Sequence, residues 1–324
     1  MTDLLRDALE RLFESHATPA QVRAIEASGD ARALWAPIEE GGFAHALVPE
    51  GADGAGLGLA DIFPSLMAAG AQALPVPLGL TMLARALLAE AGQAIPEGAI
   101  TIAAGIDSKG VAARLPYART AQWALVDFGA ALALAPIEAV APDAGQDRLG
   151  GDVVFAQPTR TFRHGADLRA MAAAVLAAQM AGALVRVFED TIRYANERVQ
   201  FGKPIGKFQA LQQQLSAMAE QVFAARMAAE LAFSGPGLRP DPLRAAMAKA
   251  RAGEAAVKVA ATAHAVHGAM GITEEFDLQL LTRRLHGWRL AYGADRYWSA
   301  KLGQAALAHP EGGTLDFIRT RLMS

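Results

Sequence analysis

Cysteine is absent from all 324 residues of the chain. That excludes disulfides, thiolate nucleophiles and cysteine-ligated zinc or iron–sulfur centres, so redox chemistry would have to come from a borrowed cofactor. It also suits a cytoplasmic protein. Charge of one sign is scarce: 30 Lys and Arg face 33 Asp and Glu, for a net charge of −3. This balance supplies no global field for capturing nucleic acid or an anionic membrane, and neither is expected as a partner. The first residues, MTDLLRDALERLFESH, place acids inside an amphipathic pattern, unlike the basic start and apolar run of a signal peptide. The most apolar segment, 170–185, is alanine-rich, contains Gln179 and is shorter than the roughly 18–20 residues of a membrane span, so a buried helix is expected.

What is present is a long chain with 52% apolar residues, enough for two or three domains with their own cores. Leu4, Leu5, Leu9, Leu12 and Phe13 recur at three- and four-residue spacing, and the pattern predicts a helical amino-terminal domain over 1–95. Within it Pro49, Gly51, Gly54, Gly56 and Gly58 form a loop before Asp61 opens another helix; without a Gly-Lys-Ser/Thr ending it reads as a plain loop. Over 96–162 the texture changes to short apolar runs, strongest at 99–104 and 123–128 and weaker in ALALA and DVVFA, which predict a short β-barrel-like domain. The remainder, 163–324, predicts a four-helix bundle with helices near 166–199, 207–234, 242–268 and 276–308 and a short helix after Gly313. Ser234–Pro242 and His267–Glu275 are loops, with Thr273 a candidate N-cap. The fold class is therefore α+β.

Between the first two bundle helices lies RYANERVQFGKPIGKFQALQQQL, where an arginine, aromatics, a Gly-Lys-Pro turn and glutamines come together. A guanidinium beside a turn offers a planar fork of donors to a diphosphate, so a nucleotide cofactor is the first hypothesis and a surface salt bridge the alternative. Other constellations are weaker. His264 and His267 share a helix face but lack a third ligand, so no metal is expected; Glu274 and Glu275 point different ways; Met171, Met180, Met218 and Met227 read as core filler. The basic run around Arg283, Arg284, His286, Trp288 and Arg289 sits on a bundle helix in an acidic chain, which favours an ion pair over nucleic acid.

ERVQFGKPIGKFQALQ and AVHGAMGITEEFDLQLLTRR, with ALVPEGADGAGLGLADI and LPVPLG earlier, resemble the flavin-dependent acyl-CoA dehydrogenase family over most of the chain. The resemblance implies an oligomer with FAD across a subunit boundary. It places Arg198 on the pyrophosphate, Gln200, Phe201, Ile205, Phe208, Gln209 and Leu211 along the cofactor, and His267, Gly268 and Ala269 at its adenine end. The family needs a carboxylate to take the proton beside the thioester carbonyl. Gap-free counting puts its two usual positions at Tyr292 and Ala172; a phenol of pKa near 10 is a poor base and alanine none. Asp295, three residues after Tyr292, is a candidate relocated base if one helix carries both. The glutamine usually found two residues before His-Gly is Ala265, and the stretch that would line the flavin ring is short. The resemblance thus implies the base-lacking partner of a second acyl-CoA dehydrogenase-like chain in a heterotetramer, acting on an acyl-CoA with an electron-transfer acceptor. Alternatives are a self-sufficient homo-oligomer and a cofactor-free structural subunit.

Overall fold

The computed structural model describes residues 2–129, 131–142, 147–156, 158, 161–163, 165–309 and 312–323. Helices α1 (Thr2–His16), α2 (Pro19–Ser28), α3 (Arg32–Glu40), α4 (Leu59–Ala71) and α5 (Leu78–Glu90) come first. Local chemistry sets their ends. Thr18 and Gln21 form a reciprocal capping box at the start of α2, Pro19 occupies its first turn, and Gly29 closes it at φ +78°. The glycine loop precedes α4, which opens at Leu59 rather than Asp61; Asp61 lies in the first turn and accepts the Gly58 N–H at 3.0 Å.

Strands β1 (Ile100–Ala103), β2 (Val111–Leu115), β3 (Trp123–Asp127), β4 (Leu132–Pro136), β5 (Ala141–Pro142) and β6 (Gly151–Val154) follow. They form two three-stranded sheets, β1-β3-β4 with β1 and β3 parallel, and the antiparallel β2-β6-β5. Ala103, Ala124 and Val126 of one sheet meet Ala112, Leu115 and Val153 of the other in a small core. The β-barrel-like region is present as two packed sheets, which do not close into a barrel among the described residues. The sequence runs found β1, β3, β4 and β6. They missed two-residue β5, and they missed β2, whose register slips between Ala112 and Leu115 and breaks its alternation.

The helices that complete the molecule are α6 (Leu168–Glu197), α7 (Gln209–Phe233), α8 (Pro242–His267), α9 (Leu278–Leu290), α10 (Asp295–Leu307) and α11 (Thr314–Phe317), with hairpin strands β7 (Val199–Gln200) and β8 (Lys203–Pro204) between α6 and α7. Asp167 caps α6 through the Ala170 N–H, and Asp241 caps α8 through those of Leu243 and Arg244. Buried residues, alanine the commonest among them, fill most of the first half of α6, which is the central core helix. Its backbone touches α4, since a Cβ at Gly70 would collide with the Gln179 carbonyl and one at Gly182 with that of Met67. The length argument against a membrane span is corrected. By length and composition α6 is apolar enough to cross a membrane, with a window of mean hydropathy 1.7, yet 83% of that window is buried inside the protein.

Two expectations about the last helices are also corrected. The segment 276–308 is two helices, interrupted at Ala291–Ala294, where Tyr292 and Gly293 take φ +56° and +105°. Thr273 does not cap a helix: it closes the 3-10 turn Gly268–Ile272 and donates its hydroxyl to the Met270 carbonyl. The N-cap position of α9 belongs to Asp277, which is drawn instead to Arg23 at 2.8 Å.

Candidate cofactor-binding site

Helix α6 ends at Arg198, whose N–H closes the last turn on the Tyr194 carbonyl while its ψ swings to +114°. The chain then reverses through a two-residue hairpin, pairing Val199 with Pro204 and Gln200 with Lys203. Phe201 and Gly202 occupy the turn at φ +52° and +80°, the doubly positive conformation that matches strand twist. The reversal is thus centred one step before the expected Gly-Lys-Pro turn. Ile205 donates to the Arg198 carbonyl at 2.8 Å, a 3-10 turn over Ile205–Lys207 follows, and Phe208 flanks the start of α7. Gly206 sits close to the end of α6, where a Cβ would lie 3.0 Å from Asn196 Oδ1 and 3.1 Å from the Ala195 carbonyl.

These contacts place the motif side chains outward. Arg198, Gln200 and Gln209 are exposed, and Ile205, Phe208 and Leu211 are half-buried. Arg198 forms no ion pair among the described residues, so the salt-bridge alternative has no partner. Phe201 is 90% exposed and packs edge-on against Phe208, with ring centres 6.1 Å apart. A phenylalanine held at positive φ costs on the order of 1–2 kcal/mol, and an exposed ring recovers little of that within this chain.

The second motif ends α8 beside this hairpin. Gly268 adopts φ +59° and ψ −141°, and it and Ala269 are exposed. The His267 ring is only 3% exposed; it stacks on Tyr194 at 4.3 Å, packs against Phe276 and hydrogen-bonds the Ala263 carbonyl through Nδ1 at 2.8 Å. Burial pushes its pKa below the usual histidine value. Its side chain therefore pins the loop to α6 one turn before Arg198, leaving Gly268 and Ala269 as the accessible groups. His264 Nε2 is engaged with Thr282 Oγ1 at 3.0 Å, and no group of three or more potential ligands for a metal occurs among the described residues.

At the usual base positions, Ala172 is completely buried and Tyr292 donates its hydroxyl to the Ile102 carbonyl at 2.7 Å. Burial raises the phenol pKa above its ordinary value, making Tyr292 still less able to lose its proton. The geometry assumed for Asp295 is corrected: the break after α9 separates it from Tyr292, and Asp295 opens α10 paired with Arg289 at 2.9 Å. Sequence reasoning missed Lys249. It is fully buried on α8 and donates to the carbonyls of Arg289 and Gly293 at 2.9 and 3.0 Å, fixing the break that carries Tyr292. Burial lowers its pKa to about 7. The available signal was its place on the stripe of Ala245, Ala252 and Ala256. The ion pair expected at Arg283 is internal: Arg283 and Arg284 both donate to buried Glu26 of α2.

Beside Tyr292 opens a cavity of about 170 Å³ between β1, β2 and the α9–α10 break. Ligand sites for cofactors usually occupy roughly 300–1,000 Å³.

Residues 169–306 match the model of the acyl-CoA dehydrogenase C-terminal domain. The chain is 33% identical over 302 residues to the acyl-CoA dehydrogenase IpdE2 of Mycobacterium tuberculosis, covering 88% of this chain and 90% of that one. Among solved structures, the ChsE4-ChsE5 complex from Mycobacterium tuberculosis superposes with a TM-score of 0.85 at 23% identity, covering 96% of this chain and 98% of that chain. A structure described as the Tcur3481-Tcur3483 steroid ACAD, in a G363A variant, gives 0.81 at 26% identity with 94% and 96% coverage. With its motif-bearing loops in place and a relative matched nearly end to end, the chain belongs to the acyl-CoA dehydrogenase family of flavin-dependent oxidoreductases.

Proposed function

We propose that the chain is one subunit of a heteromeric acyl-CoA dehydrogenase that forms an α,β double bond in an acyl-CoA thioester, supplying part of a shared FAD site and no catalytic base. The observation that carries this reading is the hairpin after α6, where Phe201 stands exposed in a strained conformation beside an Arg198 without an ion-pair partner among the described residues. Arg198 would grip the FAD pyrophosphate; Phe201, Ile205, Phe208 and Leu211 would pack on the cofactor, with Gln200 and Gln209 bonding its polar edges. Gly268 and Ala269 would meet the adenine end, held in position by His267. Bound FAD supplies the acceptor for the hydride leaving the acyl chain.

The proton is a separate matter. Ala172 has no titratable group, Tyr292 holds its proton against the Ile102 carbonyl, and Asp295 is occupied by Arg289. The carboxylate must then come from a second acyl-CoA dehydrogenase-like chain in a heterotetramer, which passes electrons to an electron-transfer acceptor in the cytoplasm. The small cavity beside Tyr292 supports placing the flavin ring against that partner. In this reading residues 1–95 and 96–162 serve as scaffold, and 163–324 carries the FAD contacts. A bulky substrate such as a steroid-derived acyl-CoA is favoured by the description of one solved relative.

The visible spectrum tests this directly. Flavin absorbance is expected only when the chain is co-expressed with its partner, with acyl-CoA-dependent reduction of an electron acceptor. Flavin bound by the chain alone together with acyl-CoA turnover would establish a self-sufficient homo-oligomer, while no flavin in either preparation would leave a structural subunit.

A further inference from the structure

The cavity beside Tyr292 has an unusual wall. Two guanidinium-bearing residues, Arg114 and Arg169, line it together with Ile102–Gly105, Ala112–Pro116 and Gly293, and no acidic residue does. Two larger cavities are different: that of about 620 Å³ at the start of α6 includes Asp167 and Asp241 beside its arginines, and that of about 320 Å³ against α1 mixes Arg6, Arg186 and Arg226 with Glu10 and Glu189. Neither Arg114 nor Arg169 forms an ion pair among the described residues; Arg169 Nη2 is held only by the Ala104 carbonyl at 3.3 Å and by the face of Tyr297 at 5.6 Å. Two arginines and no acidic residue in the wall of a concave, partly enclosed space, with the Asp152 carboxylate engaged by the Arg114 backbone N–H, create a local potential that favours anions.

Backbone geometry concentrates at the same place. Gly105, Arg114, Tyr292 and Gly293, all in the wall, have φ of +142°, +50°, +56° and +105°. Arg114 lies in the bulge that shifts the β2–β6 register, and its N–H leaves the ladder to bond Asp152 Oδ1 at 2.7 Å. Bulges next to sites serve to re-aim a side chain, and strained residues cluster where a ligand is bound.

We infer that this cavity is a small-oxyanion site, taking a carboxylate or phosphate between Arg114 and Arg169. Water occupies roughly 30 Å³ per molecule, so the space holds about six waters. That suits an oxyanion with a short substituent and excludes a flavin or an adenine nucleotide. Tyr292, whose hydroxyl is already bonded to the Ile102 carbonyl, also lines the cavity. The site does not depend on FAD.

The test uses the chain, alone and co-purified with its partner, at fixed ionic strength with chloride as reference. Isothermal titration and thermal melts with acetate, malonate and inorganic phosphate are expected to show saturable binding to the wild type. Arg114→Ala is expected to weaken it at least tenfold without lowering the melting temperature measured in chloride, because that side chain is exposed; Arg169→Gln is a second variant with the same expected loss. A response to the carboxylates alone assigns the site to organic acids, and one to phosphate alone assigns it to phosphate. Anion effects equal in wild type and both variants, or absent from all three, overturn the inference. Flavin content is recorded on the same complex, so failure here is distinguishable from failure of the shared-FAD reading.

Discussion

Histidines packed around the α8–α9 junction are held as neutral rings. Burial is the first cause of the lowered pKa values of His264, His267 and His286; neighbouring positive or histidine groups reinforce it at His264 and His286, while the Ala263 carbonyl and Asp190 oppose it at His267. The sign follows from proton counting. Below the ordinary value of 6.5 the unfolded chain takes up protons that the folded rings refuse, so stability falls as pH drops through about 6.5 until the folded rings also protonate. Lys249 acts on the other side: with a folded pKa of about 7 against 10.5 unfolded, its burial is least costly at high pH, and its contribution improves as pH rises from 7 towards 10.5. The melting temperature is therefore expected to be lower at pH 5.5 than at pH 7.5. His267→Phe, which preserves a ring against Tyr194, is expected to make that decline shallower in thermal melts at the two pH values. An unchanged difference would show that His267 is not one of the groups responsible. None of this was legible in the sequence, where His264 and His267 looked like one helix face. What fixes their protonation is the chain folding back through Phe276 and Thr282, contacts that spacing along one helix does not encode.

Among the elements, α6 was the most legible and its close contact with α4 the least. Periodicity located α6, α7 and α8 to within about two residues, because long stripes of alanine, leucine and methionine bury one face whatever the neighbour. It ran α9 and α10 together, because the stripe of Leu281, Leu285, Trp288 and Tyr292 continues across a break made by positive φ and stabilised from outside by Lys249. The hairpin was legible as a turn between two helices but shifted by a residue as geometry. Glycine inside a helix reads only as a propensity cost, yet Gly70 and Gly182 are where two backbones touch. Gly182→Ala is expected to destabilise the fold by about 2–3 kcal/mol, since the added methyl meets the Met67 carbonyl rather than a side chain that can move. Gly303, in the interior of α10 with open space where a methyl would go, supplies the contrast: Gly303→Ala is expected to stabilise by about 0.5–1 kcal/mol through helix propensity. Chemical denaturation of the two variants checks both signs, and a harmless Gly182→Ala would mean that α4 and α6 can separate.

At the scale of the whole molecule, four exposed apolar side chains, Val199, Phe201, Met270 and Ile272, lie on the loops that follow α6 and α8. Stacking of Tyr194 on His267 brings the carboxyl ends of α6 and α8 together; Val199 and Phe201 on the hairpin follow the one, and Met270 and Ile272 on the 3-10 turn follow the other. Scattered apolar residues are ordinary on a surface, but a ring kept outward at a conformational cost, next to a guanidinium without an ion-pair partner among the described residues, is what the proposed FAD and partner contact would use. If that surface closes over FAD and a partner chain, replacing Phe201 and replacing Arg198 should fail differently. Phe201→Asp puts a charge into a buried contact and is expected to abolish co-purification of the two chains, leaving this one folded with unchanged helical circular dichroism. Arg198→Ala removes donors to the diphosphate and leaves the apolar contact; the complex is expected to assemble with flavin occupancy reduced at least tenfold at limiting FAD. Size-exclusion chromatography with absorbance at the flavin and protein wavelengths reads both quantities in one run. Assembly and flavin content that survive in both variants would place the composite site elsewhere on the chain.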